Sequence, residues 1–230
     1  MKIKIVLDAM GSDNCPQPEL EGAIIASNKL DIDVILVGDE SLLTSGLEKL
    51  EGDKRRVTIQ HAPQKLEMND HIREARAKKD NSMAVGMNLV KAGQADAFVT
   101  AGNTGMVMYF GIKTFGMIPG VDRPCLAAVF PVQDGKCVIA DIGANAECRP
   151  EFLVQFAQMS SVYSRLMLGV ENPRIGLIAN GEEEGKGNEL TKQANPMMQV
   201  ALKNFVGILK GKSFLVGRWM WPSRMDLRAM

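Results

Sequence analysis

The sequence predicts an α/β protein with a mainly parallel sheet covered by helices on both faces. Two observations predict it. Strand-like segments rich in Val, Ile and Leu alternate with helix-like segments along most of the chain, the pattern of parallel strands buried on both faces. Three of those strands also stop abruptly in loops of glycine, amide and polar residues. Residues 95–100 run into Ala101-Gly102-Asn103-Thr104-Gly105, and residues 137–140 into Asp141-Ile142-Gly143-Ala144-Asn145. Residues 174–179 run into Asn180-Gly181-Glu182-Glu183-Glu184-Gly185-Lys186-Gly187-Asn188. Open parallel sheets bind ligands beyond the carboxyl ends of their strands, so the three loops are expected to converge on one crevice.

The elements follow in order. A strand at 2–8, with Ile5-Val6-Leu7 halted by Asp8, precedes a helix from about Pro18. A strand at 33–37, a helix from about Ser41 and a strand at 57–61 come next. A helix over 82–91 leads to the strand from Ala95 and a helix after Thr104, then apolar strands near 126–130 and 136–140. The helix over 150–168 opens on Pro150, whose missing N–H has no intrahelical partner in a first turn. The strand from Arg174, a helix over 190–202 and a short strand at 204–208 complete the alternation, with no linker, repeat or low-complexity tract.

Composition narrows the function classes. With 230 residues and 46% apolar content the chain can bury a sizeable core. Lys+Arg and Asp+Glu both number 27, so no global field draws the chain to nucleic acid or an anionic membrane. Cys15, Cys125, Cys137 and Cys148 form no CxxC pair, which fits reduced thiols in the cytosol and disfavours a metal site. No secretory signal or membrane-length apolar run is present, so a cytoplasmic location is expected, with peripheral membrane contact left open.

Backbone amides at a helix N-terminus, reached over glycines, make a ready anion site. Gly102, Asn103, Thr104 and Gly105 are the best candidates, since they supply donors without charge and leave a bound phosphate nucleophilic. The competing reading is an ordinary N-cap. Lys186, between two glycines, can bring a point charge to a phosphate or a developing oxyanion. Glu182 and its two acidic neighbours either hold that lysine, act as a base, bind a divalent cation or form a solvated loop, and since a run of acids is more often a solvated loop no metal is assigned to them. Asp8 and Asp141 either orient the loops and Asn145 or cap the following turns. Cys148 reads as a small buried thiol rather than a nucleophile, and His61 and His71 as surface or core histidines. Arg73, Arg76, Lys78 and Lys79 read as a solvated helix face, or else as a docking patch for an acidic partner.

These loops, in this order, resemble the bacterial phosphate acyltransferase family, PlsX. The resemblance rests on Asp8-Ala9-Met10-Gly11 with Asp13 and Pro16, on Lys78-Lys79 with Ser82-Met83, and on Ala101 to Gly105. Asp141 to Asn145, Pro150-Glu151 with Gln155-Phe156-Ala157, and Gly181 to Leu190 complete it, over about residues 1–210. It implies a Rossmann-like α/β/α fold, a homodimer, no cofactor or metal, and acyl transfer from acyl carrier protein to inorganic phosphate in phospholipid synthesis. It would place Asn103, Asn145 and Lys186 in catalysis, and Gly102, Thr104, Gly105, Gly143, Asn180, Gly181 and Asn188 on phosphate. Asp8, Asp141 and Glu182 would orient the loops. Ser12 and Cys15 depart from the pattern, which has glycine and alanine there, and residues 69–76 run about one residue short. The alternatives are a transferase using coenzyme A thioesters, or a non-catalytic module binding acyl phosphate or carrier protein. A nicotinamide enzyme is disfavoured, because no GxGxxG follows the first strand.

Family chains continue past about Gly211 with a segment resembling VDVAVTDGFTGN. Back-translated and read from the third base of the Arg218 codon, the tail Arg218 to Met230 can encode that segment. Trp219-Met220-Trp221-Pro222 forces Asp-Val-Ala in the shifted frame, and Met225-Asp226 forces the glycine. Residues 1–212 are therefore expected to form a single, C-terminally incomplete domain, with 213–230 a frameshifted tail that can leave the chain inactive.

Overall fold

The computed structural model describes residues 2–132, 135–143, 145, 147–179 and 188–210, and the chain divides into two compact units, Met1–Met117 and Ile118–Met230. In the first unit β1 (Lys4–Asp8), β2 (Asp33–Gly38), β3 (Val57–His61) and β4 (Ala97–Val99) form one parallel sheet in the order β3-β2-β1-β4. The pleat sends alternate residues to opposite faces. Val34 and Leu36 of β2 join Leu20, Ala23, Leu43 and Leu47 on one side, while Val37 packs with Val6 and Ala62 on the other. Those sides are covered by α1 (Gln17–Lys29) and α2 (Glu40–Glu48) on the first, and by α4 (Ser82–Lys91) on the second.

Each helix presents an apolar stripe at helical spacing. Leu20, Ala23, Ile24 and Ser27 are the buried run of α1, and Leu43 and Leu47 that of α2. The helix α5 (Thr104–Phe115) buries Met106, Phe110 and Thr114, which lie four residues apart. The short helix α3 (Ile72–Ala77), which the sequence order omitted as an element, carries Arg73 and Arg76 on its exposed surface. Register decides what meets at the sheet's edge: Leu7 lies opposite Val99 and Asp8 opposite Val37. The segments that leave β1 and β4 therefore start side by side.

In the second unit β5 (Ala127–Val132) and β6 (Gly135–Ala140) form an antiparallel ribbon, the one antiparallel pairing among the described strands. Next come α6 (Pro150–Leu168), β7 (Ile175–Ala179), α7 (Glu189–Ala201) and β8 (Phe205–Lys210), with β7 and β8 paired in parallel. Leu177, Ala157, Ala194 and Met198 make the core where α6 and α7 pack together and α7 covers that sheet. The mainly parallel α/β class predicted above is the class observed. The tail at 213–230 lies outside the described residues.

Candidate functional site

In the first unit a buried carboxylate ties two strand ends together. Asp8 is fully buried at the end of β1. Its Oδ2 accepts the Thr100 hydroxyl at 2.7 Å and its Oδ1 accepts the Met10 N–H at 3.1 Å. The Thr100 oxygen in turn accepts the Gly102 N–H at 3.0 Å. The two loops touch so closely that a Cβ on Gly11 would stand 2.6 Å from Asp8 Oδ2, 2.8 Å from Thr100 Oγ1 and 3.1 Å from the Gly102 Cα. Glycine fits this position because the bonded Asp8 and Thr100 oxygens, with the Gly102 backbone behind them, leave no room for a side chain. Thr100 was missed as a site residue. The visible signal was a hydroxyl at a strand end two residues before Gly102, and its partner, 92 positions earlier, is invisible to local spacing. Ser12 leaves its buried hydroxyl without a partner, a cost of about 1–3 kcal/mol.

Asn103 is the N-cap of α5. Its Oδ1 accepts the Met106 N–H at 3.1 Å and its Nδ2 donates to the Met68 carbonyl at 2.6 Å. Its side chain is therefore committed to the fold, and the Gly102 N–H points to Thr100 rather than outward. What remains open is the pair of amides at the first helical positions, Thr104 and Gly105, which lack intrahelical acceptors by helix geometry and lie on the exposed surface.

In the second unit Asp141 adopts a left-handed conformation at φ 61°, and Gly143 follows at φ 115°. Asp141 Oδ1 accepts from Asn145 Nδ2 at 2.9 Å, and Asn145 Oδ1 accepts from Nε of Arg123. Asn145 Nδ2 also reaches the Pro124 carbonyl at 3.5 Å. Arg123, just ahead of β5, was not singled out from the sequence. Asp122 exchanges bonds of 2.9 and 2.7 Å with the Gln155 side chain of α6, which pins the Arg123 segment from its other side. Burial pushes the Cys148 thiol up, with the Asp141 charge adding to it and Arg123 opposing, so Cys148 is poorly suited to nucleophilic attack.

Asn180, Gly181, Glu182 and Lys186 lie outside the described residues. Asn188, at the far end of that loop, caps α7 by accepting the Thr191 N–H at 2.9 Å. His61 Nδ1 accepts the Glu40 N–H at 3.2 Å at the start of α2, and His71 caps α3 in a capping box with Glu74. Lys78 pairs with Asp70 at 2.6 Å. Among the described residues no cluster of three or more His, Cys, Asp or Glu suits a metal ion, and no helix is long and apolar enough to cross a membrane.

A parallel α/β scaffold with glycine-bearing loops at its strand ends defines a class, and comparison with known proteins identifies which. The chain belongs to the family described as fatty acid synthesis protein, whose model matches residues 3–219. The similar curated proteins are phosphate acyltransferases, as the order of the loops implied. That of Clostridioides difficile is 43% identical over 215 residues, covering 93% of this chain and 63% of the relative. That of Koribacter versatilis is 44% identical, covering 94% and 63%. The chain thus spans less than two thirds of the length of these relatives. Among solved structures it shares its fold with a phosphotransacetylase from Streptococcus pyogenes (TM-score 0.66, 16% identity, 91% of this chain and 68% of that one). The EutD phosphotransacetylase from Staphylococcus aureus is similar too (TM-score 0.62, 21% identity, 90% and 67%).

Proposed function

We propose that the chain carries the phosphate-binding part of a cytoplasmic enzyme that transfers a long-chain acyl group from acyl carrier protein to inorganic phosphate. The observation that carries this reading is the open N-terminus of α5, where Thr104 and Gly105 offer uncommitted amides on a loop fixed by Asp8 and Thr100. Neutral donors suit this task. Phosphate is the nucleophile, and a cationic cradle would bind it more tightly while lowering the charge on the attacking oxygen.

In this reaction a phosphate oxygen attacks the thioester carbon, the tetrahedral oxyanion collapses, and the C–S bond breaks. The products are acyl phosphate and the carrier thiol, which takes the proton phosphate gives up. A role for Lys186 in stabilising the oxyanion or the phosphate belongs to the same proposal. Asp8 and Asp141 act as positioning residues. A homodimer, a role in phospholipid synthesis and peripheral contact with the membrane belong to the same proposal.

The test is release of free carrier thiol from a long-chain acyl carrier protein, with and without inorganic phosphate. This chain is compared with a version whose reading frame is restored after about Lys210. Phosphate-dependent release by the restored chain is the expected result. Silence from the 230-residue chain beside it would locate the defect in the tail. If the restored chain folds and releases nothing from carrier protein but turns over a coenzyme A thioester, the donor assignment is wrong. If it turns over neither, the site only binds. In the active version Lys186→Ala is expected to lower phosphate-dependent turnover at least about tenfold, and an unchanged rate removes Lys186 from the mechanism.

A further inference from the structure

The second unit contains a cleft of about 440 Å³ lined by Arg123, Glu147, Cys148, Arg149 and Phe152. That volume falls within the range of small-molecule sites, roughly 300–1,000 Å³, and greatly exceeds what a lone phosphate ion fills. Two guanidinium groups stand on the cleft, and among the described residues neither forms an ion pair.

Their mounting differs from that of ordinary surface arginines. Arg123 donates through Nε to Asn145, which is itself held by Asp141. This fixes the plane of its fork and leaves the Nη groups for a ligand. The neighbouring Asp122 is locked to Gln155 on α6, so the wall bearing Arg123 is anchored at successive residues. Arg149 occupies the N-cap position of α6 without a side-chain cap bond, and its guanidinium lies 5.5 Å over the Phe152 ring. A planar cation held over a ring keeps its edge available for an oxyanion.

We propose that this cleft is a subsite for a phosphate ester carried on a larger ligand: the phosphate of the pantetheine arm that bears the acyl group. The proposal rests on the acyl-thioester reading above for its ligand, and both carrier-protein and coenzyme A thioesters carry that arm. Two forks suit the oxygens of a phosphate, the Phe152 ring gives the arm an apolar surface, and the spare volume takes its length. On this account Asn145 is a positioning residue, and Arg123 is the group that meets the anion. Glu147 is the one carboxylate of the lining and opposes anion binding, so its removal has the opposite sign from loss of either arginine.

The test is calorimetric titration of the full 230-residue chain with 4′-phosphopantetheine, with pantetheine, and with inorganic phosphate. 4′-Phosphopantetheine is expected to bind at least about tenfold more tightly than pantetheine. Arg149→Gln and Arg123→Gln should each weaken it by about tenfold, and Glu147→Gln should tighten it severalfold. Arg149→Gln is the safer variant, because that side chain makes no cap bond, and an unchanged unfolding midpoint confirms the fold. Equal affinity for the two pantetheine compounds, or an affinity unmoved by Arg149→Gln, overturns the proposal. Inorganic phosphate binding that Arg149→Gln weakens as much as it weakens 4′-phosphopantetheine also overturns it, making the cleft a site for the free ion. Titration needs no turnover, so failure of the transfer assay alone leaves these outcomes readable.

Discussion

The helices α4 and α5 begin with the same device and end up with opposite properties. Asn81 caps α4 by accepting the Ala84 N–H at 2.9 Å, and Asn103 caps α5 by accepting the Met106 N–H at 3.1 Å. The residues after the caps separate them. Ser82 and Met83 at the start of α4 are each only 1% exposed, and the Ser82 N–H is taken by the Gln64 carbonyl. Thr104 and Gly105 at the start of α5 are exposed. An asparagine before a helix therefore says little about ligand binding. Whether the next amides are covered by another chain segment decides it.

The largest expected effect comes from breaking what holds the open helix start in place. Gly11→Ala forces a methyl group against the Asp8 and Thr100 side-chain oxygens and the Gly102 backbone, and those oxygens are held in place by their mutual hydrogen bond. Overpacking of this kind costs about 1–3 kcal/mol. Asp8→Ala leaves the Thr100 hydroxyl and the Met10 N–H without their buried acceptor, a loss of about 1–3 kcal/mol. Both substitutions are expected to lower the urea midpoint and to weaken phosphate binding. A variant that keeps its stability and its phosphate affinity would mean that the strand ends do not set the geometry of α5.

Most of the elements were legible because their signals are local. The strand at 57–61 and the helices at 82–91 and 150–168 have the predicted bounds, since β-branched runs, a cap and Pro150 mark them. The helix α3 was harder to see, as its six residues give too few turns for a periodicity. The site was less legible than the fold for a physical reason. Gly102, Asn103 and Asn188 stand where ligand-binding residues stand, yet the Gly102 N–H, the Asn103 side chain and the Asn188 amide oxygen are spent on internal bonds. The polar groups that complete the picture, Thr100 and Arg123, act through partners far away in sequence. A linear pattern shows which groups carry donors, and only the folded backbone shows which donors are left over.

The comparison can be sharpened with a matched pair of cap deletions. Asn81→Ala and Asn103→Ala should each cost ~1 kcal/mol of stability, because each removes one acceptor from a helix start. Only Asn103→Ala is expected to weaken phosphate binding, since it also frees the loop from the Met68 carbonyl. Equal effects of the two on phosphate affinity would erase the distinction between the helix starts. Gly105→Ala separates binding from folding more cleanly. A Cβ there meets just the Asn103 Oδ1 at 3.3 Å, so stability should stay within about 0.5 kcal/mol. The methyl group would stand at the open helix start and is expected to raise the Kd for phosphate severalfold. Unchanged phosphate affinity would place the ligand elsewhere.

The smallest effect concerns the segment that tethers Asn103. Lys78 holds the Asp70 carboxyl below the usual carboxylate range, and the Asp70 Oδ2 accepts the Glu67 N–H at 2.9 Å, closing the turn that presents the Met68 carbonyl. A carboxylate whose folded-state pKa is depressed stabilises the fold above its unfolded pKa, and that contribution disappears as pH falls through the folded value. The tether is therefore at full strength from pH 5 to 8 and loosens only in acid. Lys78 is partly exposed, so the ion pair contributes less than about 1 kcal/mol. Asp70→Asn should lower stability by a similarly small amount at neutral pH and flatten the acid limb of the stability curve. If Asp70→Asn instead changed phosphate affinity across pH 5 to 8 as strongly as Asn103→Ala, then the 67–70 turn, and not the cap, would be what opens α5.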